Sequence, residues 1–154
     1  MEGTIWEDPL FYVDGNISEL NRRQNRLIIP AKFRDDLGFK CVLSRGLDDC
    51  LVIYTMSAWE ELQAKLAKLP TTDPEARALV RFFYKNSTDC EIDKQGRTVL
   101  PQTWRDMAHI QKDLVTIGMI DRIEIWAREV YEDDEKGGKL SAEQFADISG
   151  KYQI

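Results

Sequence analysis

The chain contains one unit twice, and this duplication limits what it can fold into more than any other feature. The stretch "RRQNRLIIPAKFRDDL" at 22–37 aligns with "DKQGRTVLPQTWRDMA" at 93–108, so Arg26, Pro30 and Arg34 correspond to Arg97, Pro101 and Arg105, each pair 71 positions apart. The downstream halves repeat as well. "VLSRGLDDCLVIYTMSAWEE" at 42–61 aligns with "LVTIGMIDRIEIWAREVYED" at 114–133 at a spacing of 72, matching Gly46 to Gly118, Asp49 to Asp121 and Tyr54 to Trp126. A unit of ~40 residues with so few strands closes its own core poorly. Two copies in one chain can close it together, which predicts an α+β fold: a pseudo-twofold β-rich barrel, or a pair of interlocked hairpin layers.

Each unit reads as strand, one-turn helix, strand, turn, strand. Leu27, Ile28 and Ile29 in the first copy, and Thr98, Val99 and Leu100 in the second, suit a buried strand. Pro30 and Pro101 end these runs and fit the first position of a short helix, with Phe33 and Leu37 on the inner face of the first and Gly38 as its stop. Strands follow at "CVLS" and "CLVIY", then at "LVTIG" and "RIEIW", and Leu51, Ile53, Ile123 and Ile125 alternate as half-buried strands do. A helical pair lies between the units. Ser57 and Glu60 form a capping box for its first helix, and Asp73 with Pro74 opens its second, whose apolar face is Ala76, Leu79, Val80 and Phe83. Arg77, Arg81 and Lys85 form a basic stripe on that helix, most simply a solvated face, with a nucleic-acid surface as the alternative.

Composition removes several function classes. His109 is the only histidine, so a Ser-His-Asp, Cys-His or His-rich metal site lacks its usual parts. Cys41, Cys50 and Cys90 include no C-x-x-C pair and read as buried reduced thiols. There is no phosphate loop or dinucleotide fingerprint, so no enzyme, cofactor, metal or small-molecule substrate is expected. No apolar stretch reaches the ~18 residues of a membrane helix, and "MEGTIWEDPLF" does not resemble a secretory signal, so a cytoplasmic protein is expected.

Net charge is -6, yet "RRQNRLIIPAKFR" at 22–34 carries Arg22, Arg23, Arg26, Lys32 and Arg34 with no acid among them. An acidic mean field discourages indiscriminate binding to polyanions, so a concentrated basic cluster points to a local DNA surface. Arginine's donor fork fits guanine O6 and N7, whereas Arg22, Arg23 and Lys32 suit phosphates. Two readings of the repeated arginines stay open. Arg97 has Asp93 four residues away and pairs with it or reads DNA, while Arg26 has no matched acid. Part of the negative charge sits in "EDDEKGG" at 132–138, and the segment from there on is expected to be mobile and dispensable for the fold. Trp6, Phe11 and Tyr12 suit a subunit seam or ordinary core packing.

"EIDKQGRTVLPQTWR" at 91–105, "FKCVLSRGLDDCLVIYTMSAWEEL" at 39–62 and "GMIDRIEIWAREVYED" at 118–133 closely resemble the MraZ family of bacterial transcriptional regulators. The resemblance runs from near Phe11 to Asp133 and includes the duplicated Asp-x-x-x-Arg unit. It implies tandem AbrB-like swapped-hairpin β-barrel units forming an intrachain pseudo-dimer, with units at 12–57 and 88–131, a helical pair at 58–87 and an acidic C-terminal segment at 132–154. It further implies a homo-oligomeric ring that binds double-stranded DNA at G-rich direct repeats upstream of its own division and cell-wall operon, in association with the nucleoid. The DNA face it implies comprises Arg22, Arg23, Arg26, Lys32 and Arg34 in the first copy and Asp93, Lys94 and Arg97 in the second. The second copy keeps the family motif from Asp93 to Arg97, while the first has Arg22 in place of aspartate and Asn25 in place of glycine. The competing expectation is a ring-forming scaffold or interaction protein that has lost DNA readout.

Overall fold

The computed structural model describes residues 18–19, 26–29, 31–119, 121–133, 135 and 137–154, without the side chains of 18, 19, 32 and 36. In chain order the elements are β1 (Ser18–Glu19), β2 (Arg26–Ile28), α1 (Ala31–Leu37), β3 (Lys40–Arg45), β4 (Leu51–Thr55), α2 (Met56–Ala67), α3 (Pro74–Lys85), β5 (Ser87–Glu91), β6 (Arg97–Val99), α4 (Gln102–Met107), β7 (Asp113–Gly118), β8 (Arg122–Ala127), α5 (Arg128–Tyr131) and α6 (Ala142–Lys151). The fold is α+β with antiparallel pairing throughout the described strands.

The six-stranded sheet runs β1-β7-β8-β4-β3-β5, and β2 pairs with β6 in a separate ribbon. Exchanging the two repeats turns this order into itself, because β1 corresponds to β5, β7 to β3 and β8 to β4. The units therefore pair with each other at two places. In the sheet, Leu51 of β4 faces Ile125 of β8 and Ile53 faces Ile123, all four at 0–1% exposure. Burying each such side chain contributes about 1.5–3 kcal/mol, so pairing of the two units is itself part of the hydrophobic core. Leu27, Ile29, Leu43, Leu100 and Leu114 belong to the same core.

Local details follow from residue chemistry, with some shifts from the sequence expectations. α1 stops at Gly38, whose φ of +71 is the left-handed cap a glycine accepts without strain. Pro101 caps α4 from the preceding position rather than opening it. The expected capping box at Ser57 gives way to Thr55: the chain passes from β4 into α2 without a loop, and the Thr55 hydroxyl accepts the Ala58 N–H at 3.0 Å. Asp73 and Pro74 open α3 as expected. Phe83 is buried on that helix, whereas Leu79, expected on the same apolar face, is 42% exposed, and Arg77, Arg81 and Lys85 are exposed. Trp59 of α2 holds the pair to the body, with ring centroids 5.9 Å from Tyr54 and 6.2 Å from Tyr84. All three cysteines are buried free thiols.

The C-terminal segment contains a helix that its acids and paired glycines did not suggest. Ser141 and Gln144 form a reciprocal capping box at the start of α6, although its Phe145 and Tyr152 stay 63% exposed. Trp6, Phe11 and Tyr12 lie outside the described residues.

Candidate nucleic-acid interface

The β2–β6 ribbon brings together arginines that are 71 residues apart in the chain. Its register pairs Arg26 with Val99, Leu27 with Thr98 and Ile28 with Arg97. Strand alternation then sorts the side chains. Leu27 and Thr98 turn inward at 0% and 2% exposure, while Arg26, Ile28, Arg97 and Val99 share the outer face. The sequence reading of 27–29 and 98–100 as buried runs is thus corrected at Ile28, which is 59% exposed, and at its repeat-equivalent Val99, which is 48% exposed. The two strands are too short and too far apart in sequence for this alternation to be visible before they pair.

A tight turn precedes β6 and fixes Arg97. The Asp93 carboxylate accepts the backbone N–H groups of Gln95 at 2.9 Å and Arg97 at 2.8 Å, and Arg97 Nε donates to Asp93 Oδ2 at 2.8 Å. Gln95 Oε1 accepts a further bond from Arg97 Nη2 at 2.8 Å, a brace that sequence reasoning missed. The backbone N–H of Arg97, with the Arg97 side chain and Gln95 N–H acting alongside it, holds the Asp93 carboxyl below the usual carboxylate range. The chain turns at Gly96 with φ +81, and Ile29 N–H donates to Gly96 O at 2.7 Å, tying the second copy's turn to the first copy's strand. Of the two readings open for Arg97, its pairing with Asp93 is present, and among the described residues three of its five side-chain N–H donors have no partner.

Arg34 occupies a different place from Arg26. Its guanidinium packs against Gly96, where a Cβ would collide with it, and its Nε donates to Ile29 O at 2.9 Å. The repeat-equivalent Arg105 does the same to Leu100 O at 3.0 Å and is 8% exposed. Both arginines therefore strap their short helix to the end of the preceding strand. Lys94 is exposed at the turn, and Arg26 has no acid partner among the described residues. Beside the ribbon lies a shallow groove of about 360 Å³ lined by Arg26, Phe39, Lys40, Glu91, Ile92, Asp93, Arg97 and Val99, so two acids stand among its three cations. Lys32 lies in α1, with its side chain outside the description; Arg22, Arg23, Asn25 and Pro30 lie outside the described residues altogether.

Among the described residues no three or more His, Cys, Asp or Glu side chains gather as a metal site would require, and no helix is long and apolar enough to cross a membrane. The family profile described as "MraZ protein, putative antitoxin-like" matches the chain twice, over residues 23–82 and 83–148. The chain is 48% identical over 131 residues to "Transcriptional regulator MraZ" of Clostridium tetani, covering 85% of this chain and 92% of that protein. It is 47% identical over 124 residues to the protein of that name from Thermoanaerobacter sp., covering 80% and 87%, and 44% identical over 131 residues to that of Caldanaerobacter subterraneus subsp. tengcongensis, covering 85% and 92%.

Proposed function

This chain belongs to the MraZ family, and on that footing we propose that it is a sequence-specific, DNA-binding transcriptional regulator that reads its target with the outer face of the β2–β6 ribbon. The observation that carries this reading is the placement of Arg26 and Arg97 on one exposed face as repeat-equivalent partners. Each can offer a bidentate fork to guanine O6 and N7, a contact that contributes about 1–3 kcal/mol of discrimination. Arg97 is oriented in advance by Asp93 and Gln95, so it loses less freedom when it binds. Arg22, Arg23, Lys32 and Lys94 supply phosphate contacts that set register without reading sequence. Arg34 supports the face through Gly96.

The pairing of β2 with β6 and β4 with β8 supports reading 12–57 and 88–131 as AbrB-like swapped-hairpin barrel units packed as an intrachain pseudo-dimer. One such ribbon holds too few cations for tight binding at physiological salt, where each neutralised phosphate costs about 0.9 log units of affinity per log unit of salt. A homo-oligomeric ring presenting several ribbons to direct repeats supplies the missing affinity through effective concentration. The target in this reading is the G-rich repeat array upstream of the protein's own division and cell-wall operon, at the nucleoid.

An anisotropy titration with a labelled duplex of that upstream region, against a scrambled duplex of equal length, tests the reading. Specific binding at 150 mM salt is the expected result, together with a light-scattering mass several times 17.9 kDa. Equal affinity for both duplexes would leave the scaffold role.

A further inference from the structure

The outer face of the ribbon is only half cationic. Ile28 is 59% and Val99 48% exposed, and the register sets Ile28 opposite Arg97 and Val99 opposite Arg26, so arginine and aliphatic side chains alternate around one small square. Single exposed aliphatics are ordinary on protein surfaces. These two, however, occupy the same position of the repeat. Their neighbour Thr98 turns inward, with its hydroxyl 3.1 Å from Cys90 Sγ, while Val99 faces out. A face built only for water would favour the opposite choice, because threonine suits a strand as well as valine does and an aliphatic gains nothing from solvation.

Among the base edges of the major groove, thymine alone presents an apolar group, its C5 methyl. We infer that Ile28 and Val99 determine specificity by packing on thymine methyl groups beside the guanines that Arg26 and Arg97 contact. The inference rests on the regulator reading above and adds a second base to it. Residues opposite each other on the ribbon stand ~4.5–5.5 Å apart. Residues i and i+2 stand ~6.8 Å apart, against a base step of ~3.4 Å. The thymine therefore lies within about two base pairs of its guanine, and the internal twofold repeats the arrangement for the other arginine.

The test begins with duplexes recovered by repeated selection from random DNA with the full chain. Thymine enriched within about two base pairs of guanine is expected. Replacing that thymine with deoxyuridine removes the methyl and nothing else, and should weaken binding about fourfold per contact, the value of burying one methyl-sized group. Ile28→Ala and Val99→Ala should each show the same loss on the thymine duplex and no further loss on the deoxyuridine duplex. Because both side chains are exposed, melting temperature and light-scattering mass should not change. Equal binding of the thymine and deoxyuridine duplexes by the unaltered protein overturns the inference, as does a fall in oligomer mass in Ile28→Ala, which would assign the patch to contact between copies. Selection of guanine without thymine removes this inference and leaves the regulator reading standing. Selection of no sequence at all removes both.

Discussion

Leu27 lies directly opposite Thr98 in the ribbon, and the two are the same position of the repeat, 71 residues apart. The operation that exchanges the units therefore passes between them. Val52 and Glu124 stand in the same relation at the centre of the large sheet, at the spacing of 72 that characterises the downstream halves. An internal twofold that runs through the ribbon makes the two halves of its outer surface equivalent. Whatever Arg26 and Ile28 do on one side, Arg97 and Val99 are placed to do on the other.

The two arginines should nevertheless fail differently when removed. Arg26 has no acid partner among the described residues, so Arg26→Ala should leave the melting curve unchanged and weaken specific DNA binding by about 1–3 kcal/mol per engaged ribbon. Arg97 braces the Asp93 turn through a pair whose side chains are 36% and 38% exposed, so solvent screens the pair and leaves it a small contribution. Arg97→Ala should therefore lower both stability, slightly, and affinity. Thermal melts beside anisotropy titrations separate the two, and normal binding by Arg26→Ala would move the reading surface off the ribbon's first strand.

Gly96 and Arg34 should be coupled. A Cβ at Gly96 meets the Arg34 guanidinium, and φ +81 carries its own cost of about 1–2 kcal/mol for a residue with a side chain. Gly96→Ala should thus destabilise by more than that backbone cost alone. In an Arg34→Ala background, where the obstructing group is gone, the same change should cost only the backbone share. A double-mutant cycle by denaturant unfolding reads the difference as a coupling of about 0.5–3 kcal/mol, and strict additivity would show that the guanidinium moves aside freely.

The repeat, the prolines and the alternating strands were legible because each is a local signal. What remained hidden depends on partners distant in sequence. "LII" at 27–29 holds no polar residue to mark its outer side, so only pairing with β6 reveals Ile28 as exposed. Arg26 and Arg34 look alike as members of one basic cluster, yet Arg34 is drawn to a glycine of the other copy, a contact with no trace in its own neighbourhood. Thr55 and Ser57 both offer a cap, and the pairing of Thr55 with Cys41 decides that the strand runs straight into the helix. The Ser141–Gln144 capping box is a local signal that the reading of the C-terminal segment from its acids and glycines alone passes over.

Thr116 offers a direct route to a more stable chain. It is 1% exposed in β7, and its Oγ1 is buried with no hydrogen-bond partner among the described residues. An unsatisfied buried hydroxyl costs about 1–3 kcal/mol, and valine replaces it with a methyl of nearly the same shape. Thr116→Val should raise stability by about 1 kcal/mol and the melting temperature by ~2–4 °C. A fall in melting temperature would show that the hydroxyl is satisfied in solution.

The Asp93 turn sets the acid limit of the interface. The Arg97 backbone N–H, chief among the donors on this carboxylate, lowers its pKa in the folded protein. A depressed carboxylate contributes its full stabilisation above its unfolded pKa of about 3.9 and loses it as pH falls through the lower folded value. Between pH 5 and pH 8 the turn should therefore be insensitive to pH. In stronger acid the Gln95 and Arg97 amide protons should lose protection together, and Arg97 should be released from its orientation. Following the two amide resonances from pH 6 downward tests this directly. Asp93→Asn keeps one acceptor oxygen for the amides but carries no titratable charge, so its spectrum should show no acid transition at these positions. A transition that persists in the variant would assign the pH response to another carboxylate.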